Sequence, residues 1–408
     1  MLAAIALRNL ARNRRRTALA LLVVAAGGAS LLLTAGYMRE SFDGLREAFI
    51  RGGLGHIEVA PASEAGEGAS PDRASPPSFT GWREVRASIE SLPHVVGATG
   101  AIVTHGLVAR GERTLPFVGA GLETDREQRM GLLVKLKSGK PLPLAAPTEG
   151  DDAVLLGLGL SRQLGANAGD VVTLTAVSGD GMLNALDVRV AGLVTTGIED
   201  LDLRFLRLHL ATAQRLLGTS AVSSLVVMLD DTEQTEPLRE AIARSVGPRF
   251  AVTGWQERAS FYGQVRELYA GIFSFLGGVV LVLVCLSSSN TLLMAVMERT
   301  REIGALLAMG TSAGQVVRMI VLEASWLGLF GGLLGSAAGF VAAAAIHALH
   351  IELPAPPGAV ERMQLRLEIL AWDPAWVTGL MVVMLAVSAA VPAWRVLRLR
   401  IAEALAHV

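Results

Sequence analysis

Hydrophobic positions concentrate in four long runs along the 408-residue chain, and the sequence between the first two runs is more polar. The runs cover residues 17–37, 272–296, 316–348 and 375–391. A helix of about 20 apolar residues crosses the hydrocarbon core of a bilayer. The pattern therefore predicts four membrane-spanning helices, spans 1 to 4. Span 3 is longer than the crossing requires, so we expect it to tilt or to extend beyond the lipid.

Residues 38–266 are too polar, and too often interrupted by glycine and proline, to cross a membrane. Short β-type segments bounded by turn residues predict strands at Ala101–Ala109 and Thr114–Ala120 (a hairpin), Asp170–Val177 and Asp187–Thr196 (a second pair), and Ser224–Asp230. Helical spacing predicts helices from Thr80 or Gly81 to Ser91 and at Leu158–Leu164, Glu233–Val246 and Gln256–Ala270. The last is expected to continue into span 2 as a stalk, and residues 38–51 to do the same above span 1. The region is therefore predicted to be a mixed α/β domain.

This organisation predicts three parts. Residues 1–37 form an N-terminal helix with span 1, residues 38–266 form the α/β domain, and residues 267–408 contain the other three spans. The predicted fold class is a membrane α-helical protein with four transmembrane helices and a large mixed α/β extracytoplasmic domain.

Positive charge near the span ends predicts the orientation. Arginines adjoin the spans at Arg8, Arg12, Arg14, Arg15 and Arg16, at Arg299 and Arg301, and at Arg395, Arg398 and Arg400. Such clusters favour the cytoplasmic side. Both termini are therefore predicted to be cytoplasmic and residues 38–266 to lie outside. The single cysteine, Cys285, permits no internal disulfide, which is compatible with a bacterial envelope protein.

The composition offers no catalytic or metal centre. Only 18% of residues are charged and the net charge is −1, so no strong field indicates nucleic acid. The histidines His56, His94, His105 and His209 lack metal-ligand spacing. The acidic pairs Asp151-Asp152 and Asp230-Asp231 are interpreted as solvated turns. The chain has no G-x-x-x-x-G-K-[ST] phosphate loop, so we expect no cofactor here and any ATPase on a separate polypeptide.

The segment after span 2, residues 298–310, predicts a short amphipathic helix. Ile303, Leu306 and Leu307 share one helical face. Gly310 can end this helix, and Ser312 with Gln315 can form a capping box that opens span 3. An interfacial connector and a docking helix both fit this pattern.

Small and polar residues inside the spans indicate helix packing. Gly331, Gly335 and Gly339 repeat every four residues in span 3, which lets another helix approach closely. Asn290 follows three serines in span 2, and we interpret this patch as a source of interhelical hydrogen bonds. Glu323 is expected near the cytoplasmic end of span 3, with Arg318 close by.

The stretch from Asn290 to Gly310, NTLLMAVMERTREIGALLAMG, is similar to the pattern N-x-x-x-x-x-V-x-E-R-x-x-E-I-G-x-L-x-A-x-G. Together with RNLARNRRRT at residues 8–17 and PAWR at residues 392–395, it resembles the MacB/LolC/LolE/FtsX-type permease subunits of ABC transporters. The resemblance extends over nearly the whole chain.

This resemblance implies a dimeric permease, homo- or heterodimeric, in the bacterial inner membrane. Two copies of a separate ABC ATPase would bind ATP and Mg²⁺, and motion rather than passage through the spans would act on lipoproteins or other periplasmic or outer-leaflet substrates. The residues implied in ATPase coupling are Glu298, Arg299, Arg301, Glu302, Ile303, Gly304, Leu306, Leu307 and Gly310. Two alternatives remain: an FtsX-like signalling scaffold that controls a periplasmic partner such as a cell-wall hydrolase, and a membrane-anchored sensor without a motor.

Overall fold

The helices of the chain account for all four apolar runs. The computed structural model describes residues 14–62, 78–132, 134–353 and 363–397, together with residues 6, 8, 10 and 12. Within these residues the helices are α1 (Arg14–Phe49), α2 (Trp82–Glu90), α3 (Thr124–Met130), α4 (Leu158–Leu164), α5 (Glu199–Asp202), α6 (Leu210–Leu217), α7 (Thr235–Val246), α8 (Trp255–Arg258), α9 (Ser260–Glu298), α10 (Thr300–Ala308), α11 (Ala313–Leu349), α12 (Asp373–Ser388) and α13 (Ala390–Leu397). Arg398 and Arg400 lie outside the described residues.

The strands are β1 (Ile57–Pro61), β2 (Val95–Arg110), β3 (Arg113–Leu122), β4 (Lys135–Gly139), β5 (Ala153–Gly157), β6 (Val171–Val177), β7 (Leu183–Thr195), β8 (Phe205–His209), β9 (Ser224–Leu229), β10 (Phe250–Gly254), β11 (Glu352–Leu353) and β12 (Met363–Gln364). The chain forms two compact units, which are described separately. The helical unit comprises residues 1–43, 265–353 and 364–408. The α/β unit comprises residues 44–264 with residues 354–363.

Four helical segments of the described chain are long and apolar enough to cross a membrane: α1, α9, α11, and α12 with α13. Each contains one of the predicted spans, so the predicted fold class is confirmed. Span 4 is interrupted at Ala389, between α12 and α13, where the sequence predicted one run.

The helix predicted over Gln256–Ala270 is interrupted at Ala259, where the backbone leaves the helical conformation (φ −90°, ψ 55°). From Ser260 onward the prediction is confirmed, because α9 continues without a break into span 2. Arg258 is held on one side of this break by a hydrogen bond of 2.8 Å to the Leu54 carbonyl and an ion pair of 2.7 Å with Glu58. Ala259 itself is buried. These long-range contacts end α8, and α9 starts afresh at Ser260.

Close backbone approach organises the helical unit around α11. A Cβ placed on Gly335 would lie 2.5 Å from the Ala25 carbonyl oxygen of α1, and one on Gly331 would lie 2.5 Å from Val24. Gly339 faces Leu32 of the same helix. The predicted glycine ridge therefore receives span 1 of the same chain. Gly328 allows α12 to approach α11 in the same way, since a Cβ on Gly328 would lie 2.7 Å from the Val382 Cα.

The α/β unit is built on one ten-stranded sheet of order β10-β1-β9-β2-β3-β8-β5-β7-β4, with β6 paired to β2 and β7. The first predicted hairpin is confirmed, with β2 and β3 paired from Ala101↔Leu122 to Arg110↔Arg113. The second is also confirmed, although β7 starts at Leu183, earlier than predicted, because its pairing with β6 continues to Val177↔Leu183. Predicted helices at residues 81–91, 158–164 and 233–246 correspond to α2, α4 and α7.

Large apolar side chains fill the core of this unit. Trp82 and Ile89 of α2, Phe117 of β3 and Leu156 of β5 are almost completely buried. The interpretation of Asp152 as a solvated turn residue is wrong, because its side chain is buried. It accepts a hydrogen bond of 2.5 Å from the Thr212 hydroxyl and pairs with Arg215, both on α6. A buried carboxylate is stable only with such partners.

Candidate functional site

The short helix α10 is set off from its neighbours by two local backbone devices. Arg299 leaves the helical conformation (φ −104°, ψ 15°) and separates α10 from α9. At the other end, the Thr311 amide donates to the Leu306 carbonyl and the Gly310 amide donates to the Leu307 carbonyl, each at 3.1 Å. Gly310 has φ 95°, which completes a Schellman-type ending. The predicted glycine ending is confirmed.

The start of α11 is also as predicted. The Ser312 hydroxyl accepts from the Gln315 amide, and the Gln315 side chain accepts from the Ser312 amide at 3.1 Å. This reciprocal capping box satisfies backbone donors that would otherwise lack partners. Residues 299–312 thus form a connector with defined ends, whose helix α10 makes about two and a half turns.

One face of α10 belongs to the core of the helical unit. Ile303 is only 3% exposed and packs in one apolar cluster with Val296, Val316 and Ile320. Gly304 is buried, and Leu307 packs against the same cluster. Ile303 and Gly304, which the resemblance implies in coupling, are therefore turned toward their own chain. Their contribution to any docking contact would be to hold α10 in place.

The opposite face of α10 is open. Arg301, Glu302, Ala308 and Gly310 are exposed, and Met309 is 76% exposed. An apolar side chain so accessible, next to charged residues, is suited to a contact with another protein. Sequence reasoning did not assign Met309 to the site. Met309 does not share the helical face of Ile303 and Leu307, and this feature of the sequence could have indicated that it is exposed.

Three ion pairs tie this region to the rest of the helical unit. Glu302 pairs with Arg12 at 2.8 Å, and Glu298 accepts two hydrogen bonds from the Arg16 guanidinium at 2.6 and 2.8 Å. The Arg12–Glu302 pair is exposed, and the Arg16–Glu298 pair is partly exposed. The third, between Arg299 and Glu323 at 3.3 Å, is mostly buried.

These pairs link the first turn of α10 and the two residues before it to the N-terminal arginines and to α11. The structure brings together Glu298, Arg299 and Glu302 of the predicted site. Sequence reasoning missed Arg12 and Arg16 as their partners, and it placed Arg318 rather than Arg299 beside Glu323. Arg12 and Arg16, on which the predicted orientation partly rests, thus also pair with the residues around the start of α10.

Asn290 does not take part in packing within the described chain. Its side chain is exposed and makes no hydrogen bond to the described residues. Ser288, in the same patch, is buried. The predicted packing role of Asn290 therefore has no partner among the residues that the structure describes.

The other end of the helical unit carries a buried charge. The Arg39 guanidinium of α1 lies 2.8 and 3.2 Å from the two Asp373 carboxylate oxygens, and it donates to the Glu368 carbonyl at 2.9 Å. The Asp373 side chain is 4% exposed. Nearby, the Leu367 amide donates to His347 Nε2 at 3.1 Å. These contacts fix the segment before α12 against α1 and α11. Among the described residues, no three His, Cys, Asp or Glu side chains are grouped so as to hold a metal ion.

Two family models match the chain. The MacB-like periplasmic core domain matches residues 17–245, and the FtsX-like permease C-terminal domain matches residues 274–401. The chain belongs to the MacB/LolC-type family of FtsX-like ABC transporter permeases. In this family the permeases generally dimerise and work with an ATPase. The α/β unit corresponds to the periplasmic core, and α9 to α13 correspond to the C-terminal permease domain.

Individual relatives support the same family at low identity. The chain is 24% identical over 349 residues to the lipoprotein-releasing system transmembrane protein LolC of Xylella fastidiosa, covering 80% of this chain and 81% of the relative. It is 30% identical over 131 residues to the macrolide export ATP-binding/permease protein MacB of Hyphomonas neptunium, covering 31% of this chain and 20% of the relative. It also aligns with the crystal structure of the extracellular domain of the transporter YknZ from Gram-positive bacteria, at 15% identity and a TM-score of 0.34, covering 48% of this chain and 99% of that one.

Proposed function

We propose that this chain is the permease subunit of an ATP-driven, mechanotransmitting transporter, and that α10 docks onto a separate ATPase subunit. The observation that carries the proposal is the two-sided character of α10. One face is anchored by Ile303 in the helical unit, and the other presents Arg301, Glu302 and Met309. A docking helix that transmits force needs both an anchor and a contact surface.

The names of the relatives support a proposal for the substrate class. LolC is named as part of a lipoprotein-releasing system and MacB as a macrolide exporter. The LolC relative covers 80% of this chain, so we propose lipoproteins, or other substrates of the periplasm or outer leaflet, as the cargo. Two copies of the ATPase and two permease subunits would form the working complex, with both termini of this chain cytoplasmic in the inner membrane. The signalling alternative gains no observation from the relatives reported.

The long helices fit a mechanical role. α1 continues from span 1 to Phe49, and α9 runs without a break from Ser260 to Glu298. Each is longer than the about 30 Å of hydrocarbon requires, given a rise of about 1.5 Å per residue. An unbroken helix can pass a displacement along its length, whereas a path for substrate through the spans would need more buried polar groups.

The test uses Met309→Glu, with Met182→Glu as the matched control, because Met182 is a similarly exposed methionine (67%) in the α/β unit. We expect Met309→Glu to reduce co-purification of the ATPase at least about tenfold, since a charge would be buried at the contact. Met182→Glu should leave co-purification unchanged. Insertion of both variants is checked by membrane fractionation.

A second variant separates docking from coupling. Glu302→Lys should retain part of the ATPase but reduce substrate-dependent ATP hydrolysis, because it reverses the charge that faces Arg12 and the docking surface. Failure of any ATPase to co-purify with the unaltered chain would contradict the proposal. Normal ATPase binding and normal transport by Met309→Glu would contradict the role of α10.

A further inference from the structure

A pocket of about 320 Å³ lies between the first turns of α1 and the middle of α11. It is here called the α1–α11 pocket, and its lining includes Arg14, Thr17, Ala18, Leu21, Leu327 and Phe330. All of these residues belong to the helical unit. None of the described lining residues lies on α10, so the proposed docking contact does not account for the pocket.

The residues of α1 in this lining share one helical face. Thr17, Ala18 and Leu21 follow Arg14 by three, four and seven residues, which is the spacing of one side of a helix. Leu21 therefore lies about 10 Å along the helix from Arg14 and deeper in the apolar run. The pocket thus has a charged end and an apolar end.

The apolar end has a fixed wall. Leu327 is buried, and Phe330 stacks on Trp326 with ring centroids 5.6 Å apart and ring planes at 19°. Phe330 itself is still 37% exposed, so it offers a surface to a ligand. Such a wall fits an acyl chain. Because acyl chains in a bilayer already have apolar surroundings, the wall positions a chain by shape and contributes little to the affinity.

Arg14 at the charged end differs from the arginines near it. Arg12 and Arg16, two residues on either side of Arg14, each pair with a glutamate. Two residues of helix correspond to a rotation of about 200°, so Arg14 lies on the other side of α1 from Arg16. It makes no hydrogen bond or ion pair with the residues that the structure describes. The fork of a guanidinium matches the oxygens of a phosphate group.

The rest of the lining distinguishes between headgroups. The Thr17 hydroxyl donates to the Leu10 carbonyl at 2.9 Å, so its proton is already used within the chain. No carboxylate occurs in the part of the lining that the structure describes. The ammonium group of a zwitterionic lipid would therefore find no partner here, whereas the phosphate of an anionic lipid is matched by Arg14.

We propose that the α1–α11 pocket binds one anionic phospholipid, with its phosphate on Arg14 and one acyl chain along Leu21 and Phe330. The inference goes beyond the proposed function, because it assigns a ligand to the permease chain itself. The assignment of this lipid to the cytoplasmic leaflet rests on the proposed orientation, whereas the binding does not. A bound lipid would restrain the N-terminal segment whose neighbouring arginines pair with Glu298 and Glu302.

A competition between two lipids tests the ligand class. The full chain is purified in detergent and mixed with equal amounts of phosphatidylglycerol and phosphatidylethanolamine that have the same acyl chains. The buffer contains about 0.3 M salt, which screens attraction between exposed charges. Native mass spectrometry counts the lipids retained. We expect phosphatidylglycerol to be retained at least about fivefold over phosphatidylethanolamine. Equal retention of the two lipids would overturn the anionic class.

Arg14→Gln tests the charged end, and Arg15→Gln is the matched control. Arg15 is the next residue and is exposed, but it does not line the pocket. Arg14→Gln should lower the retention of phosphatidylglycerol at least about tenfold, because charge-assisted hydrogen bonds to the phosphate are lost. Arg15→Gln should lower it less than about twofold. Equal losses would indicate a diffuse attraction to the basic end of the helix and would overturn the pocket.

Ala18→Trp tests the apolar end by filling the pocket while Arg14 stays in place. The control is Leu19→Trp, at an adjacent position that is 66% exposed and outside the lining. We expect Ala18→Trp to lower the retention of phosphatidylglycerol at least about fivefold and Leu19→Trp to leave it unchanged. Soluble glycerophosphoglycerol, which has the headgroup without the chains, should not displace the lipid. Displacement by this compound, or full retention in Ala18→Trp, would overturn the acyl-chain contact.

The binding assay contains no ATPase. Failure of the unaltered chain to retain phosphatidylglycerol would overturn the lipid site and leave the proposed docking of α10 standing. A failed docking test would leave the lipid site standing in the same way. Circular dichroism and size-exclusion chromatography establish that each variant is folded before its lipid content is compared.

Discussion

The two units of this chain achieve close packing in different ways. In the helical unit, Gly331 and Gly335 bring α11 against α1, and Gly328 brings α11 against α12. In the α/β unit, large side chains such as Trp82 and Phe117 fill the space beside a ten-stranded sheet. The difference reflects the solvent. Helices in lipid gain little from burying apolar surface and depend on close contact, whereas a sheet in water is stabilised by apolar burial.

The units also place their buried charges differently. The helical unit pairs Arg39 with Asp373 at the end of a span. The α/β unit pairs Arg207 with Glu127 inside the fold, at 3.6 Å, with both side chains nearly inaccessible. Burial raises the pKa of Glu127, and the charge of Arg207 opposes that rise. The α/β unit thus keeps a charge pair in its interior, whereas Asp373 of the Arg39 pair is the first residue of the helix that contains span 4.

The largest effect is expected from removing a core side chain of the α/β unit. Trp82→Ala should lower the free energy of unfolding of this unit by about 3–5 kcal/mol, through lost apolar burial and the cavity left behind. Leu183→Ala, at a position 75% exposed, is the control and should change it by less than about 0.5 kcal/mol. Thermal unfolding of the detergent-solubilised chain, followed by the circular dichroism of the sheet, measures both. Equal effects of the two variants would show that the sheet unit does not depend on its core as described.

A smaller but more specific effect is expected from adding one methyl group in the helical unit. Gly335→Ala should destabilise the helix bundle by about 1–3 kcal/mol, because the new Cβ would lie 2.5 Å from the Ala25 carbonyl oxygen, which is backbone and cannot rotate away. Gly278→Ala is the control. Nothing lies within 4 Å of its Cβ, so helix propensity should make it neutral or slightly stabilising.

The measurement for this pair is the resistance of the purified chain to unfolding in increasing sodium dodecyl sulfate. If both glycines tolerated alanine equally, the close approach of α1 and α11 would not be what holds the spans together.

The smallest expected effect is a dependence of the stability of the α/β unit on pH. His56 Nδ1 accepts from the Leu229 amide at 3.2 Å, and His209 Nδ1 accepts from the Ala211 amide at 3.1 Å. Burial lowers the pKa of both histidines, so folding favours their neutral forms. Above the unfolded pKa of about 6.5 neither state binds a proton at these sites. Below it the unfolded chain gains protons that the folded chain resists, and stability falls.

We therefore expect the Tm of the α/β unit to fall by a few degrees from pH 7.5 to pH 5.5. His56→Asn, which keeps an acceptor near the Nδ1 position, should flatten this dependence, while His94→Gln, at an exposed histidine, should not. A pH dependence that is the same in all three chains would exclude His56 as its source.

The sequence by itself determined the features that depend on a few neighbouring residues. The four spans follow from the length of apolar runs, and the hairpin from β2 to β3 follows from two β-type segments around a short turn. The ending at Gly310 and the capping box at Ser312 depend on hydrogen bonds between residues a few positions apart. Such signals can be read in a short window because the atoms concerned are close in the chain.

Only the tertiary structure decided which face of each element meets which partner. Arg16 and Glu298 are 282 residues apart, and no local pattern pairs them. The partners of Asp152, Thr212 and Arg215, follow it by about 60 residues, so the local sequence around Asp152 does not show that its side chain is buried. Likewise, α9 and α11 have similar length and hydropathy, yet α11 is packed on both sides and α9 has one open face. Apolar spans have similar affinities for lipid, so hydropathy does not determine which helices pack together. Packing depends on the complementary shapes of two helices, and the sequence of one segment does not specify its partner.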